Sequence, residues 1–245
     1  MVGGRCMPVA LVAVLAAACS VSSGSRADSG PDPGDDGGGP GPDAPPGAAG
    51  LVLEFRGVPS LTANLGGDFG AELERVQIDL ENVRAVGDAA PGDERTTRDS
   101  LRLEWWGGDD DGEEAPNNDP VLVTFSQAPP GLYSNVYAEL KHYRLEGHVE
   151  TDAERDFRID DEPPGEFALA IPLGGVTLEA GDVRQVVIDV SCGAAVLAAP
   201  WDEITPDGEG DLRLDKDSSQ IGGIRDTMNG AFVYQSDGEV TSGSP

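Results

Sequence analysis

The stretch Gly107–Pro120, "GGDDDGEEAPNNDP", concentrates hard oxygen donors. It carries Asp109, Asp110, Asp111, Glu113, Glu114, Asn117, Asn118 and Asp119 within one loop-forming segment. Calcium takes about six to eight such oxygens, and extracellular modules bind it at roughly millimolar affinity. Asp109, Asp110, Asp111, Glu113, Glu114, Asn118 and Asp119 are therefore the candidate calcium ligands, against the plainer reading of a solvated acidic loop. A second run, "DLRLDKDSSQIGGIRD", sets Asp215, Asp217, Ser219 and Asp226 at positions 1, 3, 5 and 12 of an EF-hand-like count. Glycine stands there at position 8 rather than 6, and a helix competes for the same residues.

Other reactive side chains are scarce. The chain holds two histidines, three cysteines and three methionines, too few for a copper-handling site. Zinc needs three or four ligands in dedicated geometry. His142 and His148 in "KHYRLEGHVET" read instead as surface residues, with Glu146-Gly147 expected to turn the chain between them. Cys192 closes an apolar stretch and is expected to be buried. Trp105 and Trp106 are neighbours, so on a strand one faces in and the other out. An outward indole could stack on a sugar, but packing over the sheet edge is the expected role. Paired carboxylates for hydrolysis do not single themselves out among 45 acids. No catalytic constellation is expected, no organic cofactor is implied, and calcium is the one candidate ion.

Strands must position whatever site exists. "VQIDLENV" puts Val76, Ile78 and Leu80 on one face; "LRLEW" does the same with Leu101, Leu103 and Trp105, and "VLVTF" with Val121, Val123 and Phe125. "LVLEF", "LYSNVYAEL", "EFALAIPL" and "VRQVVIDV" continue the period of two, separated by Gly, Pro and Asp clusters. The expected fold is all-β, an antiparallel Greek-key sandwich of about seven to nine strands. One C-terminal helix is added by Ile221, Ile224, Met228 and Phe232, which share a helical face, with Ser218 or Ser219 as N-cap. In "QAPPGLYSNVYAEL", Pro130-Gly131 suits a type II turn. Tyr133 follows at a strand entry, as in the tyrosine corner of Greek-key sandwiches. Its hydroxyl is then expected to bond backbone between Phe125 and Pro129.

Together, "ERVQIDLENVRAV", "VLVTFSQAPPGLYSNVYAELKHYRL" and "IPLGGVTLEAGDVRQVVIDVS" resemble an uncharacterised family of bacterial secreted and lipoprotein β-sandwich domains. The likeness spans about Leu73 to Ser191. It implies a prealbumin-like sandwich and carries no activity with it.

The N-terminus supplies the location. One basic residue, Arg5, precedes an apolar stretch from Pro8 to Ala18, the pattern of an export signal and too short to span a bilayer. Leu15-Ala16-Ala17-Ala18-Cys19 resembles a bacterial lipoprotein signal, with alanine where leucine is usual three residues before the cysteine. The resemblance implies cleavage after Ala18 and lipidation of Cys19, and Ser20 in the next position implies sorting to the outer membrane. Residues 20–50 are almost wholly Gly, Pro, Ser, Ala and Asp, a composition that cannot bury enough apolar surface to order itself. The organisation expected is a signal peptide over 1–18, a lipidated and disordered tether over 19–50, a sandwich domain over 51–235 and a disordered tail over 236–245. Loss of the signal removes Arg5 and no acid, taking the net charge from −29 to −30. Such a surface excludes nucleic acid, whose phosphates need Lys and Arg, and leaves lipid as the means of membrane attachment. The expected protein is a lipid-anchored, non-catalytic envelope protein with a protein or glycan ligand left open. An envelope hydrolase, or a calcium- or carbohydrate-binding module, is the alternative.

Overall fold

The computed structural model describes residues 49–57, 70–87, 94–107, 115–165 and 167–239, with side chains through Gln235. Among the described residues ten strands follow one another: β1 (Ala49–Gly57), β2 (Glu72–Val86), β3 (Thr97–Trp106), β4 (Val121–Ala128), β5 (Gly131–Glu150), β6 (Glu154–Asp161), β7 (Phe167–Leu178), β8 (Val183–Val190), β9 (Leu212–Asp215) and β10 (Phe232–Glu239). Two helices, α1 (Gly193–Leu197) and α2 (Ile221–Met228), fall between β8 and β10. The smaller sheet has the order β10-β8-β1-β4. The larger runs β3-β2-β5-β6-β9, with β7 also paired to β5. The fold is an all-β sandwich whose two sheets share one core.

Alternation makes that core. On β2, Val76, Ile78 and Leu80 are buried while Gln77 and Asp79 face outward. On β3, Leu103 and Trp105 are buried and Leu101 packs against them. Each such side chain contributes about 1.5–3 kcal/mol relative to exposure. A bulge at Glu81–Arg84 shifts the register of β2 against β5, and Asn82 sits in it with φ of 51°. Asn tolerates the left-handed region better than other non-glycine residues, and the bulge lets Val83 and Ala85 resume the inward face.

The sandwich is mixed rather than purely antiparallel: β1 runs parallel to β8, and β9 parallel to β6. Strands this far apart in sequence have no hairpin to dictate direction. The consecutive burial of Val186, Val187 and Ile188, and of Leu53, Glu54 and Phe55, is the mark of central strands covered on both faces. The domain also reaches past the expected limits of 51–235. β1 begins at Ala49, and β10 continues to Glu239 because the backbone of Ser236–Glu239 pairs with Arg184–Val187 of β8. Residues 240–245 and the tether up to residue 48 lie outside the described residues.

Glu146-Gly147 is no turn. β5 is continuous over its 20 residues, pairing with β7 through its first half and β6 through its second. Gly147 is there because β2 approaches too closely for a side chain: a Cβ would stand 2.0 Å from the Glu72 carbonyl oxygen. Pro130-Gly131 is not a type II turn either. Gly131 has φ of 153° and already pairs with Leu178 as the first residue of β5, whereas a type II turn needs about 80° at that position. Tyr133 does form the expected contact: its buried hydroxyl donates to the Pro129 carbonyl at 2.7 Å.

The C-terminal segment packs as predicted in part. Ile221, Ile224 and Met228 of α2 are buried, but Phe232 belongs to β10. The N-cap is Gln220 without a side-chain bond, because Ser218 is engaged with Asp215. α1 is an unanticipated second helix. Trp201 anchors this region against Phe157, with ring centroids 4.8 Å apart. Arg225 of α2 donates to both carboxylate oxygens of Asp161 at 2.6 and 2.8 Å, and Asp161 is fully buried.

Two outcomes follow. Tyr133→Phe is expected to lower unfolding free energy by about 0.5–1.5 kcal/mol in urea titration; an unchanged midpoint would show that the Pro129 bond contributes nothing. Arg225→Leu leaves a buried carboxylate unpaired and should cost about 3–5 kcal/mol. Adding Asp161→Asn to it should recover part of that loss, and a double variant weaker than the single would contradict the pairing.

Candidate functional site

The outward face of the larger sheet gathers most of the charge chemistry of the described chain. Nine of the 16 lysines and arginines lie on β2, β3, β5, β6 and β9. Cross-strand registry puts them opposite acids: Asp79 faces Arg102 on one side and His142 on the other, while Glu146 faces Arg75 and Arg158. Asp160 is the hub. It lies 2.9 Å from His142 Nε2 and accepts from Arg144 at 3.0 and 3.2 Å and from Arg158 Nε at 3.1 Å. Partial burial opposes its ionisation, but these donors outweigh it and pull its pKa down to about 2. Asp79 is shifted the same way: partial burial is overcome by bonds from Arg102, His142 and Gln77.

Both histidines sit on this face of β5, each between carboxylates of the two neighbouring strands. His142 places Nδ1 3.1 Å from Asp79 of β2 and Nε2 2.9 Å from Asp160 of β6. His148 places Nε2 2.9 Å from Glu74 and Nδ1 2.9 Å from Asp156. The repeat arises because six residues along an extended strand return a side chain to the same face. A neutral imidazole donates from one nitrogen only, whereas an imidazolium donates from both. Partial burial works against the charged form of His148, and Glu74 with Asp156 more than compensates, raising its pKa. The two carboxylates lie on opposite ring nitrogens, so they bridge the imidazole rather than converge on a shared metal.

A cleft of about 640 Å³ opens on the same face, toward the other end of β5. Registry sets Thr97, Arg84, Tyr137 and Ala170 across β3, β2, β5 and β7, with Glu139 and Ala168 in the adjoining row. The Arg84 guanidinium stands 5.8 Å from the Tyr137 ring centroid. Asn82, presented by the β2 bulge, donates to Glu139 at 2.7 Å, and Lys141 pairs with Glu139 at 2.9 Å. Glu94 and Asp99 complete the rim.

The residues singled out by sequence are dispersed. Cys19 and Asp109, Asp110, Asp111, Glu113 and Glu114 lie outside the described residues. Asn118 and Asp119 are exposed, and the Asp119 carbonyl accepts the Trp105 indole at 3.0 Å, pinning that end of the loop to β3. The EF-hand-like run is not a loop. Asp215 closes a turn by accepting from the Asp217 amide, and Asp226 belongs to α2. Trp106 packs under Arg75, whose guanidinium stands 5.7 Å from its ring centroid, and donates to the Ala115 carbonyl. Cys192 is buried, which pushes its pKa up to about 12 and keeps the thiol protonated.

Sequence reasoning passed over Asp207, Glu209 and Asp211, whose carboxylates lie within 4.8 Å of one another. Arg213 already reaches all three at 2.6, 3.1 and 3.0 Å. Asp207 also accepts backbone amides of Glu209, Gly210 and Asp211. It is a braced turn with its own cation. The cleft was also missed, since only the tertiary registry of four strands brings its residues together.

Fold and face together define a β-sandwich with an ion-latticed outer sheet. No protein-family model matches the chain, and no curated protein matches it. Among solved structures it is similar to MbnP from Methylosinus trichosporium, at 10% identity and a TM-score of 0.41, over 78% of this chain and 99% of that one.

The His148 bridge has a pH signature. Its folded-state pKa lies above 6.5, so its contribution is fully present below about pH 6.5 and is lost as pH rises through the folded value. With His148 partly exposed, the size is that of a surface pair, about 0.2–1 kcal/mol. Urea unfolding of wild type and His148→Gln should therefore differ most below pH 6.5 (about the unfolded value) and converge at alkaline pH. A constant difference would assign the loss to packing.

Proposed function

We propose that this chain is an exported lipoprotein, anchored through Cys19 in the outer membrane of a bacterial envelope, which displays its β-sandwich as a non-catalytic binding domain. The observation that carries this reading is the order of parts in the sequence. A short basic and apolar leader ends in Ala-Ala-Ala-Cys19, residues 20–48 keep a tether composition, and β1 begins at once with Ala49. Such a tether spans roughly 30 Å as a flexible chain, enough to hold a globule clear of the lipid surface.

A binding role draws support from the outer face of the larger sheet. Asp79 and Asp160 owe their lowered pKa values to arginine and histidine partners that they already hold. That is the behaviour of a lattice that fixes strands, not of a general acid poised near neutral pH. The cleft beside it offers ready-made polar groups on strands rather than on loops.

The test is metabolic labelling with palmitate. Wild-type chain should take up label and fractionate with membranes. Cys19→Ala should lose both, while retaining the fold by circular dichroism. Membrane association undiminished in Cys19→Ala would overturn the anchor.

A further inference from the structure

The cleft around Tyr137 is lined for a ligand of a particular kind. Its floor is the Tyr137 ring, left open on the β7 side because the outward residues there, Ala168 and Ala170, are small and exposed. On the opposite flank stands Arg84, exposed, whose guanidinium has the Tyr137 ring as its partner and no hydrogen bond or ion pair among the described residues. Beside the ring it also acts electrostatically on Glu139, whose pKa is lowered first by Lys141 and Asn82 and, to a smaller degree, by Arg84. Acceptors surround this pair: Glu139, held in place by Asn82 and Lys141, and the rim carboxylates Glu94 and Asp99.

This mixture excludes charged ligands from both sides. An anion attracted to Arg84 would meet the carboxylates of Glu94, Asp99 and Glu139. A cation drawn to those carboxylates would meet Arg84 on the flank. A neutral polyol suffers neither repulsion, and it needs this mixture: charged donors and acceptors for its hydroxyls, and an aromatic face for its C–H face.

We propose that the cleft formed by Arg84, Tyr137, Asn82, Glu139 and Asp99 binds a neutral glycan, with one sugar ring stacked on Tyr137. The inference rests on the binding role proposed above but is independent of the anchor. The position is built for the task. Asn82 reaches Glu139 only because the bulge puts it in a left-handed conformation, and the alanines of β7 leave space where a larger side chain would fill the trough.

The experiment titrates purified full-length chain, in detergent, with soluble neutral hexasaccharides of glucose, mannose and N-acetylglucosamine, followed by calorimetry into the millimolar range. At least one should bind. Tyr137→Ala should weaken it about tenfold, equivalent to ~1.4 kcal/mol, and Tyr137→Phe should retain it, since the ring is what stacks. Arg84→Ala should weaken binding too, and Leu122→Ser on the other sheet should leave it unchanged. Thermal melts of each variant establish that the fold is intact. No binding by any neutral hexasaccharide would overturn the inference while leaving the palmitate result to judge the anchor. Binding that survives Tyr137→Ala would move the glycan off this cleft and overturn it equally. Tighter binding of a hexauronate or of spermine than of any neutral sugar would overturn the choice of ligand class.

Discussion

The fully buried carboxylate of Asp161, at the end of β6, organises the C-terminal part of the domain. A carboxylate removed from water costs several kcal/mol unless another charge meets it with good geometry. The charge that meets it comes from Arg225, which lies 64 residues later in the chain and supplies two bonds in a fork. Arg225 can reach Asp161 only when α2 lies against the inner side of the larger sheet. Docking there carries Ile221, Ile224 and Met228 into the core. It also accompanies the parallel pairing of β9 with β6, a direction that needs a long crossover. Past α2 the chain returns to β8 as β10, so one ion pair links the order of both sheets. The fully buried Tyr143 hydroxyl faces the same carboxylate without a hydrogen bond of normal geometry, and burial beside it raises the pKa of the phenol.

β5 is the other long-range constraint. Its 20 residues pair with β2 along one edge and with β7 and then β6 along the other. It therefore places inner residues from Tyr133 to Val149 in the core and outer residues from Tyr137 to His148 on the charged face. Asp79 and Asp160 grip His142 from either side, and Glu74 and Asp156 grip His148. Each bridge ties three strands at once, in a chain whose net charge of −29 works against compactness.

Much of this was legible in the sequence, and the losses have physical causes. Period-two alternation located β2, β3, β4 and β8 because a half-buried strand has no other way to satisfy both faces. The Tyr133 bond to Pro129 was readable because it is local, spanning four residues. Glu146-Gly147 was misleading. A glycine that makes room for a neighbouring backbone looks the same in one dimension as a glycine that turns the chain. Parallel pairing was hidden because direction depends on distant partners, 133 residues apart for Gly50 and Val183 and 55 for Phe157 and Leu212, although the unbroken run Val186-Val187-Ile188 carried a trace of it. β10 past Ser236 was hidden because its pairing is made by backbone atoms, for which Ser, Asp and Gly serve as well as valine. The cleft was illegible for the strongest reason: Arg84, Tyr137 and Ala168 stand on three separate strands, and only the β2-β5-β7 registry makes them neighbours.

The ion lattice and the cleft are consequences of the same strands. Lattice residues on β2, β5 and β6 hold those strands at fixed separation and register, and the Arg84–Tyr137 pair lies further along two of them. A site on paired strands keeps its geometry better than one on loops, because each side chain inherits the position of a hydrogen-bonded backbone. The net charge then acts as a filter around it. Anionic polymers are repelled at long range, and small cations are attracted to the acids spread over the whole surface rather than to one place. Against that field, β2, β3, β5, β6 and β9 set nine lysines and arginines beside thirteen unburied acids, a face less acidic than the chain's 16 against 45, which a neutral partner approaches without an electrostatic cost. Specificity there must come from the shape of the trough and the direction of its donors, which the bulge at Asn82 and the alanines of β7 determine.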